Sequence, residues 1–383
     1  MDFQLTEEQS AIQEMVREFA EREIGPRAAE IDKSDEFPVD VFKKMAAQGL
    51  MGLPFPEKYG GGGADTMSQA LAVEQVSRSS GSIGLTYAAH LSLGCAPIYN
   101  FGTEEQKKEW LVPLTQGAAL GALALTESKG GSDLAGSVAT TAVLRGNEWV
   151  INGSKMYVTS GAVARSIITL AITDKTKGHR GLSMILIPHD APGLVIGKLE
   201  EKMGLHGSLT TQVFFEDCRV PKENLLGVEG AGFKQAMTTL DGGRIGIGAM
   251  ALGLGRAALD ASIKYALERQ SFGKPIAEFQ AIQWMIADSS MELEAARLLV
   301  AQAAYLKDTQ QKFAQQAAIA KLYASEAADR ACWKAIQIHG GAGYLRDFPV
   351  ERFYRDNRLT LIGEGTSEIL RMVIARNILK AAE

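Results

Sequence analysis

The 383-residue chain predicts an α+β fold of helices, then strands, then helices. Three observations predict it. Apolar residues recur at helix spacing from Ile12 to Ile24, short apolar runs broken by turn residues fill 120–225, and long Ala-rich stretches with little Gly or Pro occupy the last third. The expected domains are an N-terminal helical domain over 1–119, a middle antiparallel β domain over 120–230 and a C-terminal helical domain over 231–383.

In the first region, Thr6 followed by Gln9 is a capping box. Behind it Ile12, Met15, Val16, Phe19, Ala20 and Ile24 form one helical face, which Pro26 ends or bends. Further helices are expected over Val39–Gln48, over Ala70–Val76 and from Gly102, with Thr103 to Gln106 at the start of the last. The run Gly60 to Gly63 is a turn. In the middle region Ala139–Leu144 and Glu148–Asn152 flank Arg145-Gly146-Asn147, the pattern of a hairpin. Ile167–Ile172, Leu182–Ile187 and Gln212–Phe215 are further strands. Their brevity predicts a small antiparallel barrel or sandwich, not a parallel sheet carrying a nucleotide site. Leu252–Leu267, Ala281–Ala304 and Phe313–Ile336 read as helices of an antiparallel bundle.

Composition narrows the function. Forty Lys plus Arg against 45 Asp plus Glu give a formal charge of -5, which disfavours a nucleic-acid binder. No apolar stretch reaches the roughly 18 residues of a membrane span. Met1 to Arg17 has no basic segment leading into an apolar one, so no signal peptide is expected and the cytoplasm is the expected location. Cys95, Cys218 and Cys332 are too few and too dispersed for a disulfide scaffold or thiolate site. The five histidines lack the spacing of a helical metal pair, so no metal is expected.

Three glycine-rich segments stand out. Leu125 to Gly136 carries Gly130-Gly131 beside Thr126 and Ser132, where exposed amides and hydroxyls can cradle an anion or an oxidised ring. It lacks the closing triplet of a phosphate loop. Gln337 to Tyr344 holds three glycines in four positions, which equally suits a helix end. Gly363-Glu364-Gly365-Thr366-Ser367 leaves a carboxylate between two glycines at a helix start, with the open space a base requires.

Together these segments resemble the acyl-CoA dehydrogenase family over essentially the whole chain. Thr126-Glu127 with Gly130 to Asp133 is similar to its first signature, and Gln337 to Tyr344 with Pro349, Glu351 and Arg355-Asp356 to its second. Asn152 to Gly161 and Arg269 to Lys274 match two further blocks. The resemblance implies a C-terminal four-helix bundle and FAD bound between domains and between subunits of a homotetramer. It implies flavin contacts from Leu123, Leu125, Thr126, Gly131, Ser132, Tyr157, Val158 and Thr159, with Tyr157 where many relatives have Trp. Arg269, Ser271, Phe272 and Gln280 would reach the cofactor of an adjoining subunit. Gln337, Gly340 and Gly341 would receive its adenosine-pyrophosphate, and Thr366 and Glu368 would complete the pocket.

The family reaction removes an α-proton and passes the β-hydrogen as hydride to flavin N5. The matching base is Glu364, with the thioester oxygen held by its own amide and a ribityl hydroxyl. Some members carry the base at the position of Gly243, which here cannot supply one. Asp241 and Arg244 match the substrate-side pair, although alone they read as a local cap and a surface salt bridge. Ser132 and Gly365 are the other expected substrate contacts. An acyl-CoA is the expected substrate and an electron-transfer flavoprotein the expected acceptor. Gly363 stands where several straight-chain relatives have Tyr, which favours a short branched or compact cyclic acyl group narrowly over butyryl. The alternatives are a non-redox lyase or desulfinase on the same scaffold and a non-enzymatic flavin or acyl-CoA binder.

Overall fold

A computed structural model describes residues 4–382; Met1–Phe3, the head of the stretch read for a signal peptide, and Glu383 lie outside the described residues. The Thr6 capping box forms as expected: its hydroxyl accepts from the Gln9 N–H at 3.1 Å and the Gln9 side chain accepts from the Thr6 N–H at 3.0 Å. Helix α1 (Glu7–Phe19) follows, then a π-helical turn Ala20–Ile24 and a 3-10 turn Gly25–Arg27 that contains Pro26, so the proline bends the run into α2 (Ala28–Ser34). Next come α3 (Val39–Ala47), α4 (Thr66–Ser79), α5 (Gly81–Ala89) and α6 (Ala96–Phe101). A second capping box, Thr103 with Gln106, opens the helical run to Thr115.

The middle region is one seven-stranded sheet: β1 (Leu120–Ala124), β2 (Thr141–Arg145), β3 (Glu148–Thr159), β4 (Ala164–Ile172), β5 (Leu182–Pro188), β6 (Leu194–Leu199) and β7 (Thr210–Pro221). The order is β1-β4-β2-β3-β7-β6, with β5 pairing β4. The hairpin is present, turning through Gly146-Asn147 because Arg145 pairs with Glu148. The wholly antiparallel expectation needs correction. β1 runs parallel to β4, and β2 meets β4 in parallel at Thr141–Ile172. The long excursion between β1 and β4 gives the chain room to return in the same direction.

The C-terminal bundle comprises α7 (Gly232–Glu268), α8 (Gln280–Asp308), α9 (Ala314–His339) and α11 (Ser367–Ala381), with the short α10 (Val350–Asn357) between the last two. At 1.5 Å per residue, the 37 residues of α7 span about 55 Å. One continuous apolar core joins the two helical regions and one face of the sheet, and it includes Leu170, Met184 and Leu186 of the strands with Ile247, Val73 and Tyr87 of the helices. A second core fills the other face around Trp149, Ile187 and Phe215. Among the described residues no helix is long and apolar enough to cross a membrane.

Candidate active site

Just before α11 the backbone turns through Glu364 at φ 54° and Gly365 at φ 103°. The left-handed region costs a non-glycine residue about 1–3 kcal/mol and persists only where surroundings fix it. Here two buried cations fix it. The Arg244 Nε on α7 donates to the Glu364 carbonyl at 3.3 Å, and the Lys321 Nζ on α9 donates to the Gly365 carbonyl at 2.8 Å. The Thr366 hydroxyl caps α11 by accepting from the Ile369 N–H. Both carbonyls are thus tied back into protein. Among the described residues the Glu364 N–H has no acceptor, which leaves it available to a substrate oxygen.

The Glu364 carboxyl is unusual in two ways. Its Oε2 is closed off from solvent, and no hydrogen-bond partner reaches it among the described residues. It lies against the bare backbone of Gly243, where a Cβ would fall 2.1 Å from Oε2. Burial therefore pushes the carboxyl up to about 7, against the opposing pull of Arg244 and Lys321. A carboxyl poised near neutrality with an unshared oxygen is equipped to take a proton.

Arg244 is buried and binds Asp241 Oδ1 at 2.6 Å. Neither of the bland readings holds. Asp241 lies inside α7 and is no cap, and Arg244 is no surface salt bridge. Burial raises the Asp241 carboxyl while Arg244 opposes it. Lys321 was not anticipated. It is fully buried, and burial lowers its ammonium to about 8, with Glu364 acting in the opposite direction.

A second group surrounds the loop after β1. Glu127 at its base accepts from Lys155 Nζ at 2.7 Å, the Ala139 N–H at 2.7 Å and the Thr140 N–H at 3.1 Å. Burial pushes the Glu127 carboxyl up, but Lys155 and the two amides more than offset it, leaving it below the ordinary range. Lys155 also donates to the Leu125 carbonyl at 3.2 Å, and Met156 N–H to the Thr126 carbonyl at 2.8 Å, so the loop is pinned to β3. Gly131 and Ser132 are exposed, and Leu123, Leu125, Thr126 and Thr159 are half-buried. Tyr157 stands at φ 57° with 63% of its surface open, while its neighbour Val158 is buried. A bare aromatic face beside exposed hydroxyls and glycine backbone fits a flat polar ring system such as a flavin.

The remaining sequence candidates gather elsewhere. His339 stacks on Tyr265 at 4.2 Å, which draws the end of α9 against the end of α7. Arg269, Phe272 and Gln280 are exposed there, as are Gln337, Gly340 and Gly341, and Ser271 is half-exposed. Gly340 caps α9 at φ 58°, so that segment does end a helix. Arg269 lies 25 residues along α7 from Arg244, about 38 Å. A single chain therefore does not bring this group to Glu364. Glu368 is exposed on α11.

Three family models match the chain: acyl-CoA dehydrogenase N-terminal domain over residues 6–118, middle domain over 122–218 and C-terminal domain over 230–379. A probable acyl-CoA dehydrogenase of Bacillus subtilis is 54% identical over 99% of this chain and 100% of its own. A short-chain specific acyl-CoA dehydrogenase of Clostridium acetobutylicum is 48% identical over 99% and 100%. The solved butyryl-CoA dehydrogenase of Megasphaera elsdenii is 42% identical, covers 99% of this chain and 100% of its own, and superposes with a TM-score of 0.97.

Proposed function

From the premise that the chain belongs to the acyl-CoA dehydrogenase family, we propose that it desaturates a short-chain acyl-CoA to the trans-2-enoyl-CoA. One observation carries the assignment of the base: the Glu364 carboxyl is raised to about 7, with an unpartnered Oε2 beside an unpaired amide on the same residue.

Glu364 takes the α-proton on its free oxygen. Its N–H donates to the thioester oxygen as negative charge develops there, and because Arg244 and Lys321 already hold the turn, the donor needs no reorganisation. Closure of an uncharged thioester over the carboxyl excludes water and raises its proton affinity further. Leu123 to Ser132 and Tyr157 to Thr159 hold FAD, which supplies the acceptor for the β-hydrogen. Arg269 to Phe272, Gln280 and Gln337 to Gly341 complete the cofactor site of a neighbouring subunit in a homotetramer. Phe272, 93% exposed, and Tyr344, 86% exposed, support such a neighbour. An electron-transfer flavoprotein, the family's usual acceptor, takes the electrons. Three free buried cysteines suit a reducing compartment such as the cytoplasm.

The names of the short-chain and butyryl relatives support a straight four-carbon acyl group. A specific observation favours a second, branched reading. The three atoms nearest to a Cβ at Gly363 would all belong to Leu359, at 3.5 Å or more, so a side chain there would fit without a clash and its absence leaves space beside the base. Anaerobic titration of the flavin spectrum with butyryl-, isobutyryl-, 2-methylbutyryl-, isovaleryl- and cyclohexanecarboxyl-CoA tests both. Bleaching by butyryl-CoA supports the first reading and faster bleaching by a branched thioester the second. A spectrum unmoved by the whole panel sinks the dehydrogenase assignment.

A further inference from the structure

Lys321 holds the turn in the proposed reaction through one hydrogen bond, but its charge has no part there. It sits in an alanine stripe of α9 with Ala317, Ala318, Ala320 and Ala324, all fully buried. An ammonium has three N–H donors, and one is spent on the Gly365 carbonyl. Among the described residues no carboxylate comes within ion-pair distance of its nitrogen. Removing an ammonium from water costs several kcal/mol, and a neutral donor would serve the carbonyl equally well. The charge needs a counterpart, and the carboxyl coupled to it most strongly is that of Glu364.

The other charged groups around the site are already committed or distant. Arg244 on α7 is bound to Asp241 at 2.6 Å and is the larger of the two cationic pulls on Glu364, ahead of Lys321. Glu326 on α9 pairs with Arg371 at 2.7 Å. Glu368 on α11 is exposed, and Lys307 on α8 lies against Gly242, with its nitrogen 3.8 Å from where a Cβ would stand. Among the described residues Lys321 is thus the cation beside Glu364 that has no carboxylate in ion-pair contact. We propose that Lys321 is a positioning residue for the Glu364 base, holding the left-handed turn through the Gly365 carbonyl while its charge favours the ionised carboxylate. The proposal rests on the reading of Glu364 as the base.

Two variants separate the two effects. Lys321→Gln keeps a donor but no charge, and it should move the acid limb of kcat/KM for flavin reduction upward by roughly one pH unit with bound flavin retained. Lys321→Met removes both and should add at least a tenfold fall in the plateau rate. A limb unmoved in both variants overturns the proposal. Difference infrared titration of the Glu364 carboxyl in substrate-free holoenzyme reads the same shift without turnover, with Glu364→Gln identifying the band. An unmoved midpoint there also overturns it. A wild type that bleaches with no thioester overturns the dehydrogenase reading instead, and the infrared midpoint then decides Lys321 alone.

Discussion

Glu127 and Glu364 each lie beside a buried lysine and are treated in opposite ways. Glu127 has three donors on its carboxylate, one of them the Lys155 ammonium in contact at 2.7 Å. Glu364 has none on Oε2, and its lysine binds the neighbouring carbonyl instead. Burial raises the proton affinity of both, yet only Glu364 ends near 7. Hydrogen bonds to the charged form decide which glutamate is an anchor and which can exchange a proton.

The contrast can be broken from either side. The largest effect is expected from Glu364→Gln, which should slow flavin reduction by about 10²–10⁴-fold while the protein stays folded and yellow. Stopped-flow absorbance measures it, and near-normal reduction would remove Glu364 from the mechanism. Glu127→Ala strands the Lys155 charge and should cost about 3–5 kcal/mol, seen as a lowered denaturation midpoint with flavin loss. Equal stability of this variant and wild type would mean the anchor is dispensable. Gly243→Ala pushes a methyl into the space of Glu364 Oε2. The displaced atom ends a flexible side chain, so stability should hold while the rate drops about a hundredfold; a rate that holds while the protein unfolds earlier would contradict this.

The pH responses sharpen the same comparison. On the proposed role of Glu364 as the base, it must be ionised to accept the α-proton, so kcat/KM should fall tenfold per pH unit below about 7 and level off above it. The group has the opposite effect on stability. Its folded-state value lies above the unfolded one, so its contribution is most favourable below the ordinary carboxylate range and is lost as pH rises through about 7. The Glu127 value is depressed. Its contribution is present above the unfolded value and disappears only as acid reaches the folded one. A pH profile of thermal unfolding in Glu364→Gln and wild type separates the two, and identical profiles would count against a raised Glu364. The smallest effect is expected from Gly363→Ala, which should trim turnover of a branched thioester a fewfold relative to butyryl-CoA. An unchanged ratio would mean that Gly363 does not border the acyl group.

What the sequence disclosed follows the same physics. The Thr6 capping box, the helix start at Thr103 to Gln106, the hairpin and the bundle helices are local patterns and were legible. Helix α5 was not, because every residue from Gly81 to Ala89 is buried and a helix covered on all sides has no amphipathic period to detect. Glu364 showed itself through its glycine flanks. Lys321 was not singled out, although its spacing from Ala317, Ala324 and Ala328 places it on the buried stripe of α9. Strand β1 escaped because its partner, β4, arrives some forty residues later and runs parallel to it.

Helix α7 has a consequence for how the protein comes off the ribosome. Its first residue lies against the backbone of Ser183 in β5, and at Gly253 its backbone approaches the Glu74 carbonyl of α4 so closely that a Cβ there would sit 2.3 Å from the oxygen. Eleven of the fourteen residues of α4 are buried in the finished molecule. Until position 253 has been synthesised, that face of α4 has no cover. The N-terminal helices of the nascent chain must therefore wait, unfinished and apolar, for a partner made more than 170 residues later. Three family domains follow one another along the gene product, but the first and last complete their folding as one unit.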